Sequence, residues 1–356
     1  PGRAVDGAVG LSTDWRAQLT RRLAAIAAAL TAALALAACG EKKDSLTPAA
    51  AQAQPVNLML DWFPNADHVG LYEGLANGDF RNAGIAVHVR IPSDPATPLQ
   101  LLAAGKVDVA VSYEPELMLA RDKGEPLVAI GAIVQRPLTS IMSLGSKRIT
   151  SPQQLRHKRV GDAGIPYQQA YLSTILGQAG VPPASVKEIN VGANLVPAML
   201  SGRVDATLGA YWNYEAIQLR QAGKHPNVIH VENVGVPTYD ELVLVVRENE
   251  LANRTNLLRR FVQALGRGYA AVRANPQAGV DALVRANPSL SAQLQLASVN
   301  GTLSSFFPTS TGVPWGWQSQ SQWNAYGEWM LRHHLISSAA TIANASTNQL
   351  LAGQGP

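Results

Sequence analysis

The sequence predicts an α/β protein of two lobes with a cleft between them, and three observations carry that prediction. From Val56 onward short apolar runs alternate with helical stretches, one pair of segments repeats in the two halves, and an aromatic and acidic cluster follows a strand in each repeat. Strand–helix alternation implies a mostly parallel sheet with helices on both faces. A chain of 356 residues with 47% hydrophobic content has enough apolar surface for such a core and is not a disordered polymer.

The N-terminal elements read as targeting. Arg16, Arg21 and Arg22 precede the apolar run "LAAIAAALTAALALAA", which ends at Cys39 and Gly40. Basic, apolar, then small residues is the order of a secretory signal, and the run is marginal for a stable membrane span. The tetrad "LAAC", Leu36 to Cys39, resembles a bacterial lipobox, in which the cysteine thiol is acylated and becomes the new N-terminus. Residues 1–38 are therefore expected to be upstream residues and a lipoprotein signal peptide, with Cys39 lipidated. "TRRLAA" matches a twin-arginine signal poorly. The polar, Ala/Pro-rich stretch that follows, residues 39–54, reads as a flexible tether.

The body divides into lobe 1 over residues 55–144, lobe 2 over 145–240, and a crossover back to lobe 1 with C-terminal helices over 241–356. In lobe 1 "VNLMLD", "IAVHVRI", "VDVAVS", "PLVAIGAIV" and "TSIMSLG" read as strands, with helices at "HVGLYEGLANG" and "TPLQLLAAG". Lobe 2 reuses the device with "KRVGDAG", "YQQAYLSTILGQAG", "VKEINV", "LVPAMLSG", "VDATLGA" and "YEAIQLRQAG". The segments from Leu101 and from Ala198 superimpose: helix, Gly-[Lys/Arg]-Val-Asp, strand, aromatic and acidic cluster, helix. Gly105 and Gly202 suit helix C′ positions, where a left-handed backbone is needed. "ELVLVVR", from Glu241, returns the chain to lobe 1. Ligands of open α/β sheets bind beyond the carboxyl ends of the strands, where Tyr113 with Glu114 and Tyr211 to Glu215 lie.

Composition narrows the function classes. The 29 Lys+Arg and 25 Asp+Glu give a formal +4, but the basic residues are scattered, so a nucleic-acid partner is not expected. One cysteine excludes an internal disulfide framework and a Cys-rich metal site. His333 and His334 are adjacent and diverge on a helix, a poor metal pair. There is no Walker A, G-x-S-x-G or H-E-x-x-H pattern. No catalytic residue, metal or cofactor is expected. "NRT", "NGT" and "NAS" match a glycosylation triplet, but a lipobox implies a bacterium.

The segments "LDWFPNADHVGLYEG", "LLAAGKVDVAVSYEP", "GIPYQQAYL", "GAYWNYE" and "VPTYDELVL", in that order, resemble the periplasmic or lipid-anchored binding proteins of ABC importers for thiamine-pyrimidine precursors. That family is related to the eukaryotic thiamine pyrimidine synthases. The resemblance covers about Pro55 to Arg332. It implies a type II periplasmic binding protein fold and capture of a substituted 4-aminopyrimidine, such as the formylaminomethyl derivative, by a monomer that delivers it to ABC permease subunits. Contact with the membrane would be through the lipid anchor only. A synthase would need a Cys-rich iron motif near the crossover, where this sequence reads "GVPTYDELV". The alternatives are a binder of another heteroaromatic nutrient such as riboflavin, a binder of alkyl sulfonates, a synthase-like enzyme, and a sensor or adhesion lipoprotein that binds the same ligand.

An aminopyrimidine has two π-faces and an edge alternating ring nitrogens with an amine, so it needs aromatic plates and a few donors and acceptors. Trp62, Tyr113, Tyr211 and Trp212 can supply plates. Asn65 can donate and accept, Glu215, Asp240 or Glu241 can accept from an amine, and Ser112 or Ser140 can bridge. Asn65 and Asp67 serve equally as helix caps. His68 aligns with the histidine that the synthase relatives consume as a substrate, and is otherwise a scaffold residue beside a helix start. Tyr167 follows the Gly164–Pro166 turn at a helix entry. In "YWNYE" successive helical positions diverge too far for all three aromatics to face one core, so at least one, with Asn213 and Glu215 nearby, is expected in the cleft. Which one stays open. "FFPTSTGVPWGWQSQSQW", from Phe306, reads as a packed loop and helix docking onto lobe 1.

Overall fold

The structure, a computed structural model, describes residues 53–355 together with Gly2. The expected signal peptide, the lipidation of Cys39 and all of the tether before Ala53 lie outside the described residues.

Two five-stranded sheets organise the body. The first contains β1 (Gln54–Met59), β2 (Ile85–Arg90), β3 (Val109–Ser112), β4 (Leu127–Val134) and β10 (Leu242–Arg247), in the order β2-β1-β3-β10-β4. The second contains β5 (Thr139–Leu144), β6 (Arg159–Asp162), β7 (Lys187–Asn190), β8 (Ala206–Tyr211) and β9 (Pro226–His230), in the order β7-β6-β8-β5-β9. In each sheet the first three strands run parallel, and the fourth, reached by crossing from the other lobe, is antiparallel to both neighbours.

Two expectations need correction here. The sequence pattern places Thr139–Leu144 in lobe 1, yet β5 hydrogen-bonds between β8 and β9, so the chain crosses over in residues 135–138. Apolar alternation makes a strand but does not choose between two sheets. The composition extends the tether to residue 54, whereas Gln54 already pairs with Ile85 in the first ladder.

The internal repeat has a physical basis. Asp108 and Asp205 each sit immediately before a central strand and accept from a backbone amide of the neighbouring parallel strand, Asn57 at 2.7 Å and Arg159 at 3.0 Å. Arg254 pairs with Asp108 at 2.6 Å, and Lys147 and Arg159 pair with Asp205 at 2.8 and 3.1 Å. These partners hold both carboxyls below the usual range despite partial burial. The preceding glycines, Gly105 and Gly202, have φ of 69° and 71°, a conformation that costs other residues strain.

The helices that position the site are α1 (Val69–Ala76), α2 (Asp79–Asn82), α3 (Pro98–Ala103) and α4 (Glu114–Asp122) in lobe 1, and α5 (Pro166–Gln178), α6 (Leu195–Leu200) and α7 (Glu215–Gln221) in lobe 2. After β10 come α8 (Glu248–Asn253), α9 (Thr255–Ala274), α10 (Pro276–Ala286), α11 (Ala292–Thr302) and α12 (Gln320–Arg332). Amphipathic α9 buries Leu258, Phe261, Val262, Leu265 and Tyr269 against lobe 1. In the Trp-rich loop Trp315 stacks on Tyr269 with ring centroids 4.9 Å apart, while α12 reaches across to lobe 2, where the hydroxyls of Tyr326 and Tyr171 meet. Among the described residues no helix is long and apolar enough to cross a membrane.

Candidate functional site

The carboxyl ends of the two central parallel regions face each other, and a cavity of about 400 Å³, mouth included, lies between them. Its lobe 1 wall begins where β1 ends: Asp61, Trp62 and Asn65 line it, joined by Tyr113 from the end of β3. The Pro64 turn ends in Asn65, whose Oδ1 accepts from the Asp67 amide at 2.8 Å and so caps the short helical turn Ala66–His68. The Asn65 amide donates to His68 Nδ1 at 3.3 Å, which places the ring proton on Nε2, and Nε2 donates to Asp61 Oδ1 at 2.8 Å. Tyr113 donates its hydroxyl to Asp61 Oδ2 at 2.9 Å. Asp61 is thereby fixed by a partner on each oxygen.

The lobe 2 wall comes from three loops. Ala163 and Ile165 precede α5, and Tyr167 and Gln168 open it. Leu195 opens α6. Gly209 and Tyr211 end β8, followed by Tyr214 and Glu215 at the start of α7. Gln168 Oε1 accepts from the Ala163 amide at 2.8 Å, and its amide nitrogen lies against Gly209, where any Cβ would stand 2.2 Å from it. Glu215 Oε2 accepts from the Tyr211 amide at 2.7 Å. Burial pushes the Glu215 carboxyl up to about 7, against the opposing pull of that amide and its own. Tyr113 and Tyr167 meet across the lobes at 5.4 Å between centroids. Among the lining residues none is Lys, Arg or His.

Of the residues singled out from sequence, the cavity brings together Trp62, Asn65, Tyr113, Tyr167, Tyr211 and Glu215. The others do not line it. His68 is buried behind Asp61 as its orienting partner. Ser140 spends its hydroxyl on the Ala210 carbonyl at 2.6 Å. Trp212 points away, donating from Nε1 to the Pro137 carbonyl at 3.0 Å with its ring 5.7 Å from His230. Asn213 bonds to Asp67 and Thr302. Asp240 accepts from Trp323 Nε1 at 2.8 Å, and its amide donates to Glu114.

Glu241 staples the hinge. Its carboxylate accepts from the Leu138 amide at 2.5 Å, the Thr139 amide at 2.8 Å, the Thr139 hydroxyl at 3.0 Å, the Tyr239 hydroxyl at 3.0 Å and the Tyr211 hydroxyl at 3.3 Å. The two chain crossings between the lobes are thus tied by one side chain.

Sequence reading missed Asp61, Ala163, Ile165, Gln168, Leu195 and Gly209, and left Tyr214 undecided. Asp61 and Gln168 sit inside the motifs "LDWFPN" and "GIPYQQ", adjacent to residues that were chosen; the apolar members carry no chemical signal by which to find them.

Two mixed sheets, each joined to the other by crossovers and enclosing a cavity at their strand ends, define a two-lobed type II periplasmic binding protein fold. Similarity to solved structures agrees: the alkanesulfonate-binding protein SsuA from Xanthomonas axonopodis pv. citri superimposes with a TM-score of 0.64 at 14% identity, covering 83% of this chain and 99% of that one. Residues 65–279 match the NMT1/THI5 like family, and the chain belongs to it. It is 32% identical over 320 residues to the formylaminopyrimidine-binding protein of Halalkalibacterium halodurans, spanning 89% of this chain and 96% of the relative. It is also 23% identical over 236 residues to the 4-amino-5-hydroxymethyl-2-methylpyrimidine phosphate synthase of Candida albicans, spanning 62% and 68% of the two chains.

Proposed function

We propose that this chain is an extracytoplasmic, lipid-anchored solute-binding protein that captures a substituted 4-aminopyrimidine and hands it to the membrane subunits of an ABC importer. The observation that carries this reading is the lining of the cleft: rings of Trp62, Tyr113, Tyr211 and Tyr214 beside the carboxyls of Asp61 and Glu215 and the amides of Asn65 and Gln168, with no basic side chain. Such a set offers π-faces and sparse polar groups to a flat nitrogen heterocycle, and Glu215 offers an acceptor to its amine. The name of the relative from Halalkalibacterium halodurans supports the same ligand class. A sulfonate would meet two carboxylates and no cation, which argues against that alternative.

The same lining argues for binding over synthesis. The synthases in the family are named for a pyrimidine phosphate, and a phosphate calls for cations or a cradle of amides. The single cysteine, Cys39, precedes the body and cannot contribute to a Cys-rich motif at the crossover. Lipidation is tested separately: Cys39→Ser should release the protein from membranes, and retention there would remove the anchor.

The binding claim is tested by calorimetric titration of the refolded protein with formylaminomethyl-aminopyrimidine. One-to-one binding is expected; no heat and no competition would move the ligand to another heterocycle, to be identified by mass spectrometry of the protein as purified.

A further inference from the structure

Behind the Tyr211–Glu215 loop lies a buried polar seam between the lobes. Asn213, fully buried, donates from Nδ2 to Asp67 Oδ1 at 2.8 Å and to Thr302 Oγ1 at 2.7 Å. Asp67 belongs to the capped turn of lobe 1, and Thr302 ends α11. Thr302 in turn donates to the Ser298 carbonyl at 2.8 Å, leaving its oxygen free to accept from Asn213. One turn pair back on α11, Gln295 donates to the Tyr214 hydroxyl at 3.0 Å.

Gln295, Ser298 and Thr302 stand at spacings that share one helix face, and all three are fully buried. A permanent core would place apolar residues there. Instead the seam also holds buried atoms without a protein partner: Asp67 Oδ2, Asn213 Oδ1, Gln295 Oε1 and Ser298 Oγ. Buried unpaired polar atoms are costly, and the cost disappears when the faces part and are hydrated. A surface that is polar, buried and incompletely paired fits a contact made to be broken.

We infer that Asn213 is the closure latch of the clamshell, a positioning residue that does not touch ligand but joins the ligand-facing loop of lobe 2 to Asp67 and Thr302 of lobe 1. This rests on the reading of the cleft as a solute site. Its neighbours Tyr211, Tyr214 and Glu215 line the cavity, so one five-residue loop reports occupancy on one side and secures the lobes on the other. Such interlobe contacts bias the equilibrium toward the closed form and lower the rate of ligand escape.

The test uses the full chain, Asn213→Ala and the near-isosteric Thr302→Val, with formylaminomethyl-aminopyrimidine as probe. Thr302→Val should raise koff and Kd by roughly tenfold, the loss of about one well-made buried hydrogen bond, and Asn213→Ala, which loses two, by more, with kon in both within about threefold of the parent. Small-angle scattering at saturating ligand should show less contraction for both than for the parent. Thr302→Val guards against a folding defect at Asn213, because it keeps shape and removes only the hydroxyl. Dissociation rates and contraction equal to the parent's in both variants would overturn the latch. If the parent itself does not bind the pyrimidine, the ligand assignment falls, and the latch is then read from ligand-free scattering: Asn213→Ala should have the larger radius of gyration, and equal radii would overturn it.

Discussion

Glu215 is the side chain on which the proposed recognition depends most, and its replacement has a magnitude that follows from the structure. One carboxylate oxygen accepts from the Tyr211 amide at 2.7 Å and fixes the side chain at the mouth of α7, where it lines the cleft. Truncation to Ala removes an acceptor for the ligand amine and leaves the Tyr211 amide without its partner. Above pH 7, where the Glu215 carboxyl is ionised, a hydrogen bond to a charged group contributes about 1.5–3 kcal/mol, so Glu215→Ala should there raise Kd by roughly ten- to 150-fold. Glu215→Gln keeps an acceptor oxygen without the charge and should lie between, at roughly three- to tenfold. Calorimetry with the aminopyrimidine measures both, and thermal melting checks that the body stays folded. Binding of Glu215→Ala within twofold of the parent, with an unchanged melt, would refute the assignment of Glu215 to the ligand.

Three further outcomes are expected. Glu241→Ala strips five donors at the hinge and should cost about 3 kcal/mol, a fall in Tm of roughly 6–12 °C, while Glu241→Gln should lose less; a melt unchanged in both would deny the staple. Trp212→Ala should lower Tm but leave Kd within about threefold, since its indole is bonded to Pro137 outside the cavity; a large loss of affinity at parental stability would return Trp212 to the site. Burial raises the carboxyls of Glu215, Asp240 and Glu241 to about 7 and Glu116 to about 8, so the folded state holds protons that the unfolded chain releases at ordinary carboxylate pKa values. Stability contributed by those protons is present near pH 4.5 and is lost as pH rises through 7 to 8, whereas that of Asp108, Asp122 and Asp205, whose carboxyls are lowered, is lost only at more acidic pH. Tm should therefore rise as pH falls from about 8 to 5; a steady decline over that interval would contradict the burial of these acids.

Much of the architecture was legible because its causes are local. The Gly-[Lys/Arg]-Val-Asp repeat encodes a helix end, a left-handed residue and a carboxylate that ties the adjacent parallel strand, and all three operate in both lobes. Strand β5 was misplaced because the choice of sheet is made by long-range pairing, which apolar alternation does not record. In the site, Trp62, Tyr113, Tyr167, Tyr211 and Glu215 could be found because ring and carboxyl residues collect at strand ends. The same rule also drew in Trp212, Asn213, Asp240 and Glu241, which lie at those ends and spend their polar atoms on the hinge and the seam between lobes. Sequence shows that a polar group is available; only the fold shows what has already claimed it. Asp61 was passed over for the opposite reason, since its value lies in two partners, His68 and Tyr113, of which one is far along the chain.

The most direct test of a cleft built for a neutral aminopyrimidine is a paired titration of the full chain with hydroxymethyl-aminopyrimidine and with its phosphate monoester. The two ligands share a ring and differ by a dianion that would enter a cavity lined by Asp61 and Glu215 and by no cation. Like-charge contact in a desolvated site costs several kcal/mol, so the ester should bind at least about a hundredfold more weakly. Equal or tighter binding of the ester would contradict the account and return the chain to the company of the phosphate-handling synthases.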